Sequence, residues 1–359
     1  MPKPKLFIPG PVDISATTYE AMCSPMIGHR GKDFEALYAN MQPGLQEIAG
    51  TKRPVFLSTS SAWGVMEGAI RNLVQKKVLN LCCGAFSDKW FDVSMRCGKE
   101  AEKIQAEWGQ PIDPELVKSK LSGGGFDTVT MVHNETSTGV LNPLTEIAAV
   151  VKEFDDVLLV VDTVSSFSAV EIPTDGIGVD VLLAGVQKAM ALPPGLSVFV
   201  VSERALARAE TTGDRGYYFD FLEFEKNHQK NNTPSTPSIS LLYALDSMVS
   251  SIIDEGLEAR FRRHSETNAL VHGWVEENGF ELFAPEGFRS KTLTAVENNR
   301  EIDVPGFIKA VRDRHNLLIN GGYGKIKGKT FRISNMGNET ISTIKELLEA
   351  LNAVLPEFT

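Results

Sequence analysis

The amino-acid sequence predicts an α/β protein: a mostly parallel sheet covered on both faces by helices, joined to a small C-terminal α+β layer. Three observations carry that expectation. Continuous Val- and Leu-rich runs recur through the first two hundred residues, and a strand without polar alternation is one buried on both faces. Segments of helical spacing separate several of these runs, as parallel strands require. Beyond about residue 250, short strands and single helices follow in a different order. A large domain over residues 1–250 and a small one over 251–359 are therefore expected, with the N-terminal segment able to pack on the small one.

In chain order, "SATTYEAM" and "KDFEALYANMQPGLQEIAG" have helical spacing, with Ser15 and Lys32-Asp33 as starts. "PVFLSTSSAWGVMEGAIRNLV" reads as strand, polar turn and helix. There follow the strand "KVLNLCC", the helix "AFSDKWFDVSMRCG", the strand "TVTMVHN", the helix "LTEIAAVVKEF" and the strands "VLLVVDT", "DVLLAGV" and "LSVFVV". "NHQKNNTPSTPS" is polar and proline-rich, and the residues after it, from "ISLLYALD" to "WVEEN", read as one long helical stretch. Further on, "FELF", "KTLTAV", "LLING" and "TFRIS" read as strands, "VPGFIKAVRDRH" and "ISTIKELLEALNAVL" as helices, and the Lys-rich "KIKGK" as a solvated hairpin.

The 359 residues are 42% hydrophobic and 23% charged, ordinary for a folded soluble protein. Thirty-six Lys and Arg against 46 Asp and Glu leave a net charge of -10, which argues against a nucleic-acid surface. No run approaches the length of a membrane span, and "MPKPKLFIPGPV" lacks the apolar segment of a secretory signal, so a cytoplasmic protein is expected. Cys23, Cys82, Cys83 and Cys97 show no ligand spacing, so no metal is expected. The adjacent Cys82-Cys83 pair makes poor disulfide geometry, which fits a reducing compartment.

In a parallel sheet ligands gather beyond the carboxyl ends of the strands, so the polar residues that follow apolar runs are the ones to weigh. Asp162 closes one such run and Lys188 follows the next. A lone lysine there is commonly a structural ion pair, or a stem that packs while its ammonium reaches water. In a partly desolvated crevice, however, lysine is readily neutral, and a free amine condenses with an aldehyde. That is how pyridoxal phosphate is held, and this cofactor also needs a carboxylate at its ring nitrogen, a flat group against its face and a phosphate cradle. Asp162 suits the ring nitrogen. The turn Ser61-Ala62-Trp63 opens a helix, whose free N–H groups suit a phosphate. Phe86, with Gly84 beside it, suits the ring face, and the Thr136 hydroxyl suits the ring's 3-oxygen. Each residue has an ordinary alternative, since Ser-rich turns are commonly caps and a Phe after a strand is commonly core. Their coincidence at successive strand ends selects the chemical reading.

From "FIPGPVDIS" and "PMIGHRGKDFEALY" through "HNETSTGVLNP", "VVDTVSS" and "GVQKAMALPPGL" to "FRISNMG", the chain resembles the class V branch of the fold type I pyridoxal-phosphate aminotransferases. That branch includes alanine-glyoxylate, serine-glyoxylate and phosphoserine aminotransferases. The resemblance implies a large domain with a mostly parallel seven-stranded sheet, pyridoxal 5'-phosphate as cofactor, and an amino acid and a 2-oxo acid as substrates. It also implies that Lys188 anchors the cofactor, Gln187 lies on the phosphate side, and Asp162 partners the pyridine nitrogen with Val164 packed under the ring. Thr136 would partner the 3-oxygen, Phe86 would stack, and Arg332 would grip the substrate α-carboxylate with its planar fork. Asn232 and Thr233 resemble a segment that reaches the cofactor phosphate of a partner subunit, which implies a homodimer with shared active sites.

Relatives often carry Ser-Gly-Thr or Ser-Gly-His where this chain has Ser61-Ala62-Trp63, so a side-chain donor becomes an indole while the backbone donors survive. His29 and Arg30 in "MIGHR" correspond to residues near the substrate. The resemblance favours serine or alanine as donor and glyoxylate or pyruvate as acceptor; phosphoserine with 2-oxoglutarate is the alternative. A desulfurase or lyase would need a catalytic cysteine in the C-terminal half, and all four cysteines precede residue 98. A cofactor-free binding protein that keeps the scaffold is the remaining rival.

Overall fold

The computed structural model describes residues 3–358. Its centre is a seven-stranded sheet in the spatial order Val55–Ser58, Ser197–Val201, Val181–Gly185, Leu158–Asp162, Thr128–Val132, Lys77–Cys82 and Glu100–Gln105. Ser197–Val201 runs antiparallel to both its neighbours and the other pairings are parallel, so the sheet is mostly parallel. The five residues of Thr128–Val132, Leu158–Asp162, Val181–Gly185 and Ser197–Val201 are all buried, as their unbroken apolar runs require. One core lies on the face covered by Lys32–Ala49, Leu144–Val151 and Ile239–Glu255, and a second on the face covered by Ala62–Leu73 and Phe221–His228.

Several elements escape the hydrophobic pattern. The edge strand Glu100–Gln105 is half charged; its Glu102 bridges Lys77 and Lys120, each at 2.7 Å, and charge is how an exposed sheet edge avoids further pairing. The helices Pro114–Ser122, Glu203–Thr211 and Phe221–His228 are short, but each begins at a side-chain cap, from Asp113, Ser202 and Asp220 respectively. The last of them takes in the first residues of the proline-rich passage. The long helical stretch is two helices, Ile239–Glu255 and Leu257–Glu277, because Gly256 stands at φ 80° between them.

The C-terminal layer is an antiparallel sheet in the order Glu281–Leu282, Leu293–Glu297, Thr330–Ser334, Asn320–Gly321, packed on Leu257–Glu277, Val304–His315 and Ile341–Val354. Its core gathers Phe7, Trp274, Phe280, Phe307 and Phe331, and Lys5–Leu6 pairs in parallel with Leu317–Leu318. "KIKGK" is not a hairpin: Gly324–Ile326 forms one 3-10 turn with Ile326 buried. Among the described residues no helix is long and apolar enough to cross a membrane, and no cluster of His, Cys, Asp or Glu is placed to hold a metal.

Gly50 ends the helix Lys32–Ala49 at φ 60°, where a Cβ would lie 2.1 Å from the carbonyl oxygen of Ile172. Gly178, at φ 81°, has open space around it. Gly178→Ala is expected to cost about 1–2 kcal/mol for the left-handed backbone alone, and Gly50→Ala clearly more, because a main-chain atom must also move. Equal shifts of the two denaturant midpoints would contradict this account.

Candidate active site

Three buried strands end side by side, and the segments that leave them make the site. Asp162 is the last residue of Leu158–Asp162, Lys188 follows Val181–Gly185, and Thr136 follows Thr128–Val132. With Ser61, Ala62, Trp63, Phe86, Asn134, Val164, Ser165 and Gln187 they line one narrow pocket of about 80 Å³. A larger depression of about 780 Å³, bordered by Glu47, Ile172, Gly256 and Phe261, contains none of these groups. Of the residues expected from the sequence, Lys188, Asp162, Thr136, Phe86, Val164, Gln187 and the turn Ser61-Ala62-Trp63 are thus brought together.

Lys188 is 7% exposed. Its Nζ donates to Thr136 Oγ1 at 2.8 Å and to Ser165 Oγ at 2.9 Å, and those two hydroxyls are 2.5 Å apart. Ser165 was not singled out in the sequence; its place beside Asp162 in "VVDTVSS" was the available signal. Gly10, at φ 90°, leaves room for the lysine stem, since a Cβ there would sit 3.0 Å from Lys188 Cγ. Burial pushes the Lys188 amine below the usual lysine range, with Asp162 pulling it back up and Arg332 pushing it further down. Burial likewise raises Asp162, against the pull of the Val164 N–H, which donates to its Oδ1 at 2.7 Å, and of Lys188. The pair is therefore an acid that holds its proton unusually well and an amine that gives one up unusually easily.

Phe86 lies in the first turn of the helix Ala85–Arg96, and Lys188 Nζ stands 5.3 Å from its ring centroid. That helix start is held by Glu135, fully buried, whose Oε1 accepts from Ser137 Oγ at 2.7 Å and Oε2 from the Ser87 N–H at 3.0 Å. Gly84 must be glycine, because a Cβ would fall 2.3 Å from Glu135 Cγ. Glu135 also went unselected in the sequence, although it sits beside Thr136 in "HNETSTG". His133, buried with its Nδ1 2.9 Å from Ser166 Oγ, is pushed down to about 4 by burial and stays neutral.

Arg332 reaches the site from the C-terminal sheet. It is 5% exposed, and its Nη1 donates to the Thr136 carbonyl at 3.2 Å and its Nε to the Gly321 carbonyl at 3.1 Å. Burial lowers it to about 10 against the pull of the buried Glu135 carboxylate, so it remains a cation. The remaining candidates stand apart from the pocket. Thr233 lies beside Leu57–Thr59 with its hydroxyl on the Ser235 carbonyl, Asn232 adjoins it, His29 faces Thr236 at 3.4 Å, and Arg30 is exposed. No cysteine lines the pocket; burial pushes Cys82 up to about 12 and Cys83 higher still, so neither is a nucleophile.

The donor set fits pyridoxal phosphate. An acid and an amine line the same pocket, and Phe86 and Val164 offer apolar surfaces for a flat ring. Ser61 caps the helix Ala62–Leu73 without a side-chain hydrogen bond; the Gly64 N–H is taken by the Ser61 carbonyl at 2.9 Å, which leaves the N–H groups of Ala62 and Trp63 for an anion. The Asn134 Oδ1 on the pocket wall is buried without a partner, which suits a donor on a bound group.

Comparison with known proteins identifies the family. The family described as aminotransferase class-V matches residues 17–308. An uncharacterised aminotransferase of Methanocaldococcus jannaschii is 37% identical over 98% of this chain and 92% of its own length. A serine-glyoxylate aminotransferase of Methylorubrum extorquens is 33% identical over 93% of this chain and 86% of its own. The crystal structure of an alanine-glyoxylate aminotransferase from Nostoc sp. superposes with a TM-score of 0.94 at 29% identity, covering 99% of this chain and 96% of that one. With a lysine, an aspartate and a helix N-terminus set around one slot, the chain belongs to the class-V aminotransferases, a family whose cofactor is pyridoxal phosphate.

Proposed function

We propose that the protein transfers the α-amino group of a small L-amino acid, serine or alanine, to glyoxylate or pyruvate. One observation carries the reading. Lys188 and Arg332 bond the hydroxyl and the carbonyl of the same residue, Thr136, which brings an amine and a buried guanidinium close together at the edge of the pocket. An α-amino acid presents a carboxylate one carbon away from its amine, which is what such a pair accepts. The names of the Methylorubrum and Nostoc relatives support serine or alanine as donor and glyoxylate as acceptor.

When bound, pyridoxal phosphate supplies the electron-withdrawing ring and carries the amino group between the two half-reactions. The first-turn N–H groups of Ala62 and Trp63, with Gln187, would hold its phosphate, and Asp162 would hold a proton at the ring nitrogen. Phe86 and Val164 would keep the ring flat, and Thr136 would orient its 3-oxygen. Lys188 moves the α-proton, since a displaced amine of lowered basicity is a competent base near neutral pH. Arg332 fixes the carboxylate so that the Cα–H bond faces Lys188, and the buried walls keep water away.

In this reading residues 1–250 form the cofactor-binding unit, and residues 251–359 the small unit that supplies Arg332. Asn232 and Thr233 lie outside their own pocket and serve the partner's cofactor phosphate in a homodimer. The four cysteines are free thiols, which suits a cytoplasmic enzyme.

Lys188→Ala should remove the visible absorbance that the cofactor shows in the wild type; an unchanged spectrum after dialysis would exclude the lysine as anchor. Arg332→Ala should weaken amino-acid binding by roughly 2–5 kcal/mol while the cofactor band stays. Unaltered affinity would reject its role. Mixing wild-type holoenzyme with serine, alanine and phosphoserine should bleach the band with the first two, and a response to phosphoserine alone would replace this reading with the alternative. Hybrids of a variant at Asn232 and Thr233 with a Lys188 variant should regain activity that neither parent has, whereas verified hybrids that remain inactive would mean self-contained sites.

A further inference from the structure

We propose that Tyr323 sets how large a donor side chain the site accepts, a proposal that rests on the functional reading above. Tyr323 belongs to the "GGYGK" turn that enters Thr330–Ser334, the strand carrying Arg332. Glycine flanks it for steric reasons. At Gly322 a Cβ would lie 2.4 Å from both the Ile326 carbonyl oxygen and Thr330 Oγ1, and at Gly324, φ 60°, it would lie 2.9 Å from the Trp108 ring. Lys325 then places its Nζ 4.2 Å above the centroid of that indole, whose N–H donates to Asp88 Oδ2 at 3.0 Å. The turn from the C-terminal layer is thereby fastened to Trp108 and to the helix that begins beside Phe86.

On this fastened turn, Tyr323 lays its ring on Phe86, with centroids 5.6 Å apart and planes 13° from parallel. The guanidinium carbon of Arg332 is 5.7 Å from the same ring. Tyr323 is nonetheless 50% exposed, so it faces the mouth of the site rather than a core. A donor with its carboxylate on Arg332 and its Cα toward Lys188 has one substituent left to place. The Tyr323 ring packs near both Phe86 and Arg332, and so is placed to border that substituent. A methyl or hydroxymethyl group passes beneath it; a branched or aromatic side chain meets the ring. A pocket wall of this kind discriminates by contact with each added carbon.

The test follows the bleaching of the cofactor band when holoenzyme is mixed with L-alanine, L-serine, L-leucine or L-phenylalanine. Tyr323→Ala is expected to raise the leucine-to-alanine ratio of apparent second-order rate constants by about tenfold, the scale of a few carbons in an apolar pocket. Tyr323→Phe should keep the wild-type ratio, since the ring remains. Trp108→Ala, which keeps the tyrosine side chain but unfastens the turn that holds it, should move the ratio in the same direction by a smaller factor. An unchanged ratio in Tyr323→Ala, an equal loss with all four donors, or loss of the band before any donor is added would overturn the proposal. A wild-type holoenzyme whose band responds to no amino acid would overturn the functional reading, and this inference with it, before any substitution is made.

Discussion

Burying the amine of Lys188 is the constraint around which the site is arranged. A lysine 7% exposed loses most of the hydration that stabilises its charge, and an isolated ammonium in such a place would cost several kcal/mol. Two hydroxyls, from Thr136 and Ser165, accept its hydrogen bonds, and Asp162 supplies negative charge without touching it at hydrogen-bond distance. That arrangement leaves the amine poised: hydroxyls satisfy an ammonium, but they also tolerate a neutral amine, which a tight carboxylate pair would not. Gly10 belongs to the same solution, because the stem can lie flat only where the neighbouring residue has no side chain.

Polar groups around the lysine are tied to one another and to both layers. Asn134 donates to the Ser165 carbonyl in the large sheet's loops and to Ser290 Oγ and Thr292 Oγ1 of the small layer. Arg260, fully buried, donates to the carbonyls of Ser168 and Ala189, and so fixes the turn after Asp162 and the residue after Lys188 from a helix of the other layer. Arg263 extends the connection to the carbonyls of Gly337 and Glu339. Displacing the C-terminal layer would therefore disturb the lysine as well as Arg332. Coupling of this kind is expected where buried polar groups are satisfied by partners in two different elements.

Glu135 shows how one side chain can do local and distant work. Locally, its carboxylate takes the N–H groups at the start of Ala85–Arg96 and so aims Phe86. At longer range it is a buried negative charge that acts on Lys188, Asp162 and Arg332 together, raising all three. Removing it would loosen the aromatic wall and leave Arg332 less firmly charged, two effects that a surface carboxylate could not produce.

Much of this was legible in one dimension. Unbroken apolar runs marked the interior strands because a strand covered on both faces has no polar alternation, and the residues closing those runs, Asp162, Lys188 and Thr136, were marked because a charge or hydroxyl there has nowhere to go but the strand ends. The edge strand Glu100–Gln105 was not legible, since a half-exposed strand carries the charges of a loop, and neither was the break at Gly256, since one glycine does not interrupt helical spacing. Local sequence thus determined the strands, their ends and the ordered motifs of the family. Tertiary structure alone decided that Ser165 shares the amine with Thr136, that Glu135 aims Phe86, and that Tyr323 and Arg332 arrive from a separate layer. Each of those contacts joins residues far apart along the chain or through a turn, and such proximity follows from how layers pack rather than from the pattern within any one of them.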